Sequence, residues 1–263
     1  MLGKVLKYDM KAMNKSMIPG YLIVFVLALL AKGMVVLADH FKFLNTFTAL
    51  FLMAFIFSIV GIFFYVFLAS VLRFYRSFIK EEGYLTHTLP VSKNTLLLSK
   101  VISFLIHFII TVIVAILAIL LLIPNYSIFG TLFHSMDTFI TELGYSTPWV
   151  IVYFIIMLLV SVLSSILLYY FAMSLGQTRN DKKLLYSIVY GVILYSIVQM
   201  VGVIFTLIIG ISNPSIIENA NNAVPDKSFL NLIFGYSSIL SIVILVVYYM
   251  GSVKILDKKL NLE

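Results

Sequence analysis

Six long apolar runs constrain this chain more than any other feature. They fall at about 19–38, 47–72, 100–123, 148–175, 184–212 and 229–251. A helix crosses the hydrocarbon core of a bilayer with roughly 20 mostly apolar residues, and each run is long enough to do so. The 263 residues are 62% hydrophobic and 11% charged, against about 45–50% and about 25% in ordinary soluble domains. So few polar groups cannot cover a water-soluble globule. The predicted fold class is therefore an all-α membrane protein with six transmembrane helices, a single permease-like membrane domain over 1–263.

The segments between the runs must alternate sides if every run crosses. Segments 1–18, 73–99, 176–183 and 252–263, with Lys100 at the edge of the second, hold fifteen of the eighteen lysines and arginines. Segments 39–46, 124–147 and 213–228 hold only Lys42 and Lys227, and Lys32 lies inside the first run. Loops rich in Lys and Arg stay in the cytoplasm, so both termini are expected there. The net charge of +7 thus follows membrane sidedness and implies no nucleic-acid partner. The first run reads as a retained span, because it is longer than a signal peptide's apolar core and lacks an A-x-A cleavage pattern.

Residues 1–18 carry Lys4, Lys7, Lys11 and Lys15 on one helical face and Leu2, Leu6, Met10, Met13 and Met17 on another. This predicts an N-terminal amphipathic interfacial helix, its lysines on anionic lipid headgroups and its Met stripe in the acyl boundary. The longest cytoplasmic excursion is 73–99. Arg73, Arg76 and Lys80 recur at helical spacing, which extends the second span past the membrane. Gly83 and Pro90 then bracket a short helix, and Ser92 can cap the helix entering the third span.

The run Glu82-Gly-Tyr-Leu-Thr-His-Thr-Leu-Pro-Val, preceded by Arg73-Phe-Tyr-Arg and followed by Lys100, resembles the first cytoplasmic loop of type 2 ABC exporter permeases of Gram-positive bacteria. Six spans with both ends inside fit that family over essentially the whole chain. The resemblance implies a coupling helix that sits on a separate ATPase. By position, Glu81, Glu82, Gly83, Tyr84, Leu85, Thr86, Leu89 and Pro90 belong to that contact. It further implies a second permease chain, identical or not, ATP and Mg bound by the ATPase partner rather than by this chain, and a bacterial cell membrane as the location. The segment 213–228 departs from the family, being short and Asn-rich where relatives often have re-entrant helices.

The outer stretch 127–143 alternates Phe129, Leu132, Phe133, Met136, Phe139, Ile140 and Leu143 with Thr131, Thr138 and Glu142, the pattern of a helix resting on the outer surface. Ala172 and Gly176 lie one turn apart, a spacing that lets helices approach closely.

No residues suggest catalysis. There is no G-x-x-x-x-G-K-[ST], no H-E-x-x-H and no G-x-S-x-G, cysteine is absent, and His40, His87, His107 and His134 are widely separated. The expected catalytic and metal sets are both empty. His107 reads as a hydrogen-bonded packing residue and Lys32 as a snorkelling one. Gln199, near the middle of the fifth run, is the single polar candidate for a transport path, with an interhelical hydrogen bond as the competing role. Few buried ions argue for an amphipathic or apolar cargo such as a peptide, drug or lipid. A non-hydrolysing membrane binding or immunity module, and an intramembrane enzyme, are the other classes considered.

Overall fold

Helices α1 (Leu2–His40), α2 (Asn45–Phe78), α3 (Lys93–Leu122), α4 (Ser127–Glu142), α5 (Thr147–Gly176), α6 (Lys183–Ser212) and α7 (Lys227–Lys258) account for nearly all described residues. One turn of 3-10 helix at Lys42–Leu44 joins α1 to α2. The computed structural model describes residues 2–78, 90–123, 127–179, 182–212 and 227–258. All the described helices except α4 are long and apolar enough to cross a membrane, six in all. Each contains one of the six apolar runs.

The chain read as a single domain is laid out as two helical units, Met1–Tyr126 and Ser127–Glu263. In the first unit, α1 packs on both α2 and α3. The Thr48 hydroxyl donates to the Met34 carbonyl, and Tyr65 meets Ser16, so α1 and α2 run antiparallel. Asp9 meets Ser99 while Tyr21 meets Thr111, so α1 and α3 run parallel. Val24, Ala28 and Ala31 of α1 form the core with Phe55 and Ile62 of α2 and Ala118 of α3. Alanines at these positions make room for the larger side chains of α2. At Gly20 the Ile62 side chain lies directly against the α1 backbone, since a Cβ there would fall 2.6 Å from Ile62 Cδ1.

The N-terminal amphipathic helix is present, but it is not a separate element. It is the first half of α1, which runs unbroken through Pro19. At about 1.5 Å per residue, 39 residues span about 58 Å, nearly twice the ~30 Å hydrocarbon core. Lys4, Lys7, Lys11 and Lys15 are exposed as expected. Met13 and Met17, expected to face the acyl boundary, are instead 3% and 0% exposed. This face carries contacts to α2 and α3: Ser16 meets Tyr65, and Met10 and Asn14 meet Ser103 and His107. An apolar stripe is satisfied equally by lipid and by neighbouring helices, and here the neighbours occupy much of it.

In the second unit, Tyr153 donates from its hydroxyl to the Phe234 carbonyl and lies 2.9 Å from Ser238 Oγ. Further along, Ser164 donates to the Ser241 carbonyl, so α5 and α7 run parallel. The end of α5 meets the start of α6, where a Cβ on Gly176 would fall 2.0 Å from Ser187 Oγ; these two helices are antiparallel. The expected close approach at Ala172 and Gly176 is met, with Ala172 facing Gly191.

The amphipathic segment expected on the outer side forms α4 and ends in a Schellman motif. Gly144 has φ +79° and its N–H donates to the Thr141 carbonyl, while the Tyr145 N–H reaches back to Ile140. Glycine favours that left-handed backbone, and the motif satisfies the carbonyls left open at the helix end. Among the residues of α4 only Ile140 is buried.

Candidate functional site

The most concentrated polar chemistry in the described residues is a seam between α1 and α3. At its lower end the Asp9 carboxylate accepts from Lys100 Nζ at 2.5 Å and from Ser99 Oγ at 2.8 Å. Arg73 Nε of α2 lies 3.5 Å from the same Asp9 oxygen that Lys100 contacts. Asp9 is 2% exposed and Lys100 5%. Carrying a carboxylate and an ammonium out of water costs several kcal/mol per ion, so a buried pair persists only with close geometry and added hydrogen bonds. Ser99 provides one such bond.

One turn higher, Ser103 Oγ approaches Met10 Sδ at 3.6 Å. His107 follows, fully buried, with Nδ1 2.7 Å from the Ser103 carbonyl and Nε2 2.9 Å from Asn14 Oδ1. Both ring nitrogens are engaged, the packing role expected of it. Tyr21 then bridges to Thr111 Oγ1 at 3.1 Å and donates to the His107 carbonyl at 3.3 Å. The residues on α3 recur every three or four positions, one helical face, and the seam therefore fixes both the rotation and the register of α1 against α3.

The seam begins where two helices flank the segment expected to be the longest cytoplasmic excursion. α2 continues past the expected span to Phe78, with Phe74 and Phe78 fully buried. α3 starts at Lys93, where the Ser92 side chain accepts the Thr95 N–H at 3.3 Å, the predicted N-cap. Seven of the eight proposed contact residues, Glu81, Glu82, Gly83, Tyr84, Leu85, Thr86 and Leu89, lie outside the described residues, as does His87. Pro90 is described, exposed in a bend just before α3. Asp9, Arg73 and Lys100 thus tie the two arms of that excursion to α1.

Gln199 is exposed on α6, a helix whose only buried residue is Ser187. Lys32 is half-buried. Among the described residues no three His, Asp or Glu side chains converge in the manner of a metal site. At the end of α5, Gln177 is 3% exposed and its Nε2 has no hydrogen-bond partner among the described residues.

Compared with protein-family models, curated proteins and solved structures, the chain matches none.

Asp9 is the residue that sequence reasoning passed over. Its signal is present in hindsight, because at 100° per residue Asp9 falls beside Leu2 and Met13, within the apolar stripe and away from the lysines. A carboxylate on that stripe needs a buried cation. Nothing in the sequence says which cation, and the one it meets is 91 residues away.

Proposed function

We propose that this chain is the membrane-spanning subunit of an ATP-driven ABC-type exporter in a bacterial cell membrane. It forms part of the path for an amphipathic or apolar cargo, with hydrolysis confined to a separate cytoplasmic ATPase. A second permease chain, identical or not, completes the transporter. The observation that supports this reading best is the ionic joint of Asp9, Arg73 and Lys100. An ATPase can drive a membrane subunit only through an element whose displacement is passed on to several spans at once. The excursion between α2 and α3 carries the exporter-like motif, and its two flanking helices share a buried ionic contact with α1. A push on the excursion therefore moves three helices together.

In this reading the residues from Glu81 to Pro90 contact the ATPase, and Lys4, Lys7, Lys11 and Lys15, exposed along the lower half of α1, meet anionic lipid headgroups. Gln199 on the outward surface of α6 is available to the path or to the second permease chain. The test is to look for an ABC ATPase reading frame beside that of the chain, coexpress the two and purify through a tag on the chain; the absence of such a frame would count against the proposal. The two should copurify, and Glu82→Arg should leave insertion intact while it weakens association or uncouples hydrolysis from export. Parental export by Glu82→Arg, or a partnerless chain that hydrolyses ATP, would overturn the proposal.

A further inference from the structure

The fifth long apolar helix, α6, carries an uncovered polar group near its centre. Of its 30 residues only Ser187 is buried, and Gln199, exposed near the midpoint, has no hydrogen-bond partner among the described residues. A side-chain amide open to hydrocarbon loses the bonds that water would give it, and lipid tails replace none of them. At 100° per residue Tyr195, Val203, Thr206 and Gly210 fall within about 40° of Gln199, with Gly202 about 60° away. Gly202, Thr206 and Gly210 follow one another at four-residue steps, the spacing that lets two helix backbones approach. A Cβ on either glycine would meet nothing within 4 Å, so no neighbour described in the chain requires the missing side chain.

The amide itself says what covers this face. It offers a donor and an acceptor together, and only a partner with both satisfies it. In the first unit the hydroxyls in the middle of α2 and α3, Ser58 and Thr111, already donate to the Phe55 and His107 carbonyls of their own helices, which leaves the amide oxygen without a donor there. Thr206 likewise donates to the Gly202 carbonyl. A second copy meets both needs. Two chains inserted with the same sidedness bring Gln199 to the same depth, and across a twofold axis along the membrane normal each amide donates to the oxygen of the other.

We infer that the Gln199 face of α6 is the contact between two copies of this chain, with reciprocal amide hydrogen bonds at its centre and close backbone approach along Gly202, Thr206 and Gly210. The inference rests on the transporter reading only in making the second permease chain an identical one. Association is measured on the chain alone, so its failure leaves a transporter of two different chains standing, whereas the lack of any ATPase partner would overturn the transporter reading and leave this contact untouched.

The chain has no native cysteine, so a disulfide at a single introduced cysteine joins two copies. In native membranes oxidised with copper phenanthroline, Val203→Cys and Thr206→Cys should cross-link, while Ile197→Cys and Ile204→Cys, exposed on the opposite side of α6, should not. With fluorescent copies diluted in phosphatidylcholine vesicles, energy transfer should show Gln199→Leu needing about tenfold higher protein density than the parent for half-maximal pairing. Gln199→Asn, which keeps an amide, should recover part of the loss. Gly210→Ile keeps Gln199 and blocks the approach, and it should weaken pairing even if Gln199→Leu loses its monodisperse elution. Absence of cross-linking at Val203→Cys and Thr206→Cys, equal cross-linking at all four positions, or parental pairing by Gln199→Leu and Gly210→Ile would overturn the inference. A disulfide within one chain between Thr206→Cys and Ser58→Cys would give the face to the first unit and overturn it too.

Discussion

Asp9 and Lys100 bring a carboxylate oxygen and an ammonium nitrogen to 2.5 Å, with side chains only 3% and 5% exposed, although 91 residues separate them. This contact, with Ser99 and Arg73 around it, joins the first half of α1 to the start of α3 and the end of α2. Removing one partner of such a pair strands the other charge, which costs about 3–5 kcal/mol where no water can enter. Asp9→Asn should therefore lower the midpoint of thermal unfolding in detergent well below the parent. The exchanged pair Asp9→Lys with Lys100→Asp should recover part of the loss. Equal stability of Asp9→Asn and the parent would show that the joint contributes nothing to folding.

Gly176 and Gly202 should respond in opposite directions to the same change. A Cβ on Gly176 would meet Ser187 Oγ at 2.0 Å and the Lys183 carbonyl and Ser187 nitrogen at 2.8 Å. Two of those atoms are backbone and cannot rotate away, so Gly176→Ala must separate α5 from α6. A Cβ on Gly202 meets nothing within 4 Å, and alanine is the better helix former by about 1 kcal/mol. Helix content and melting of the two variants, measured side by side, check the contrast: a marked loss for Gly176→Ala and no loss for Gly202→Ala.

Gln177 offers a stabilising substitution. Its side-chain amide nitrogen is buried without a hydrogen-bond partner among the described residues, and an unsatisfied buried donor costs about 1–3 kcal/mol. Gln177→Leu has a similar volume and no donor, and should raise the melting temperature of the purified chain. A lower one would mean that the amide serves an interaction formed only when the chain is solubilised.

Sidedness follows from the partition of Lys and Arg. Lys11 on α1 and Ser135 on α4 are both exposed, and the absence of native cysteine leaves single substitutions as the only thiols. In intact cells an impermeant maleimide should label Ser135→Cys and spare Lys11→Cys, while in inverted vesicles the order should reverse. Labelling of both from the outside would refute an even number of crossings with cytoplasmic ends.

Much of this fold was legible in the chain because hydrophobic length and helical period are local properties. The six long apolar helices, the continuation of α2 to Phe78, the Ser92 cap and the amphipathic character of α4 each depend on residues a few positions apart. What the tertiary structure decided is which face of each helix meets protein. Lipid tails and protein interior are equally apolar, so hydropathy cannot tell a stripe that packs from one that faces the bilayer. Period alone places Met13 and Met17 toward lipid, whereas the folded chain buries both. The same limit hid the seam: period places Asp9, Asn14 and Tyr21 on α1, but only the assembled helices bring them to Lys100, His107 and Thr111. The contact between Lys227 and the Gly144 turn has the same origin, since 83 residues separate the two.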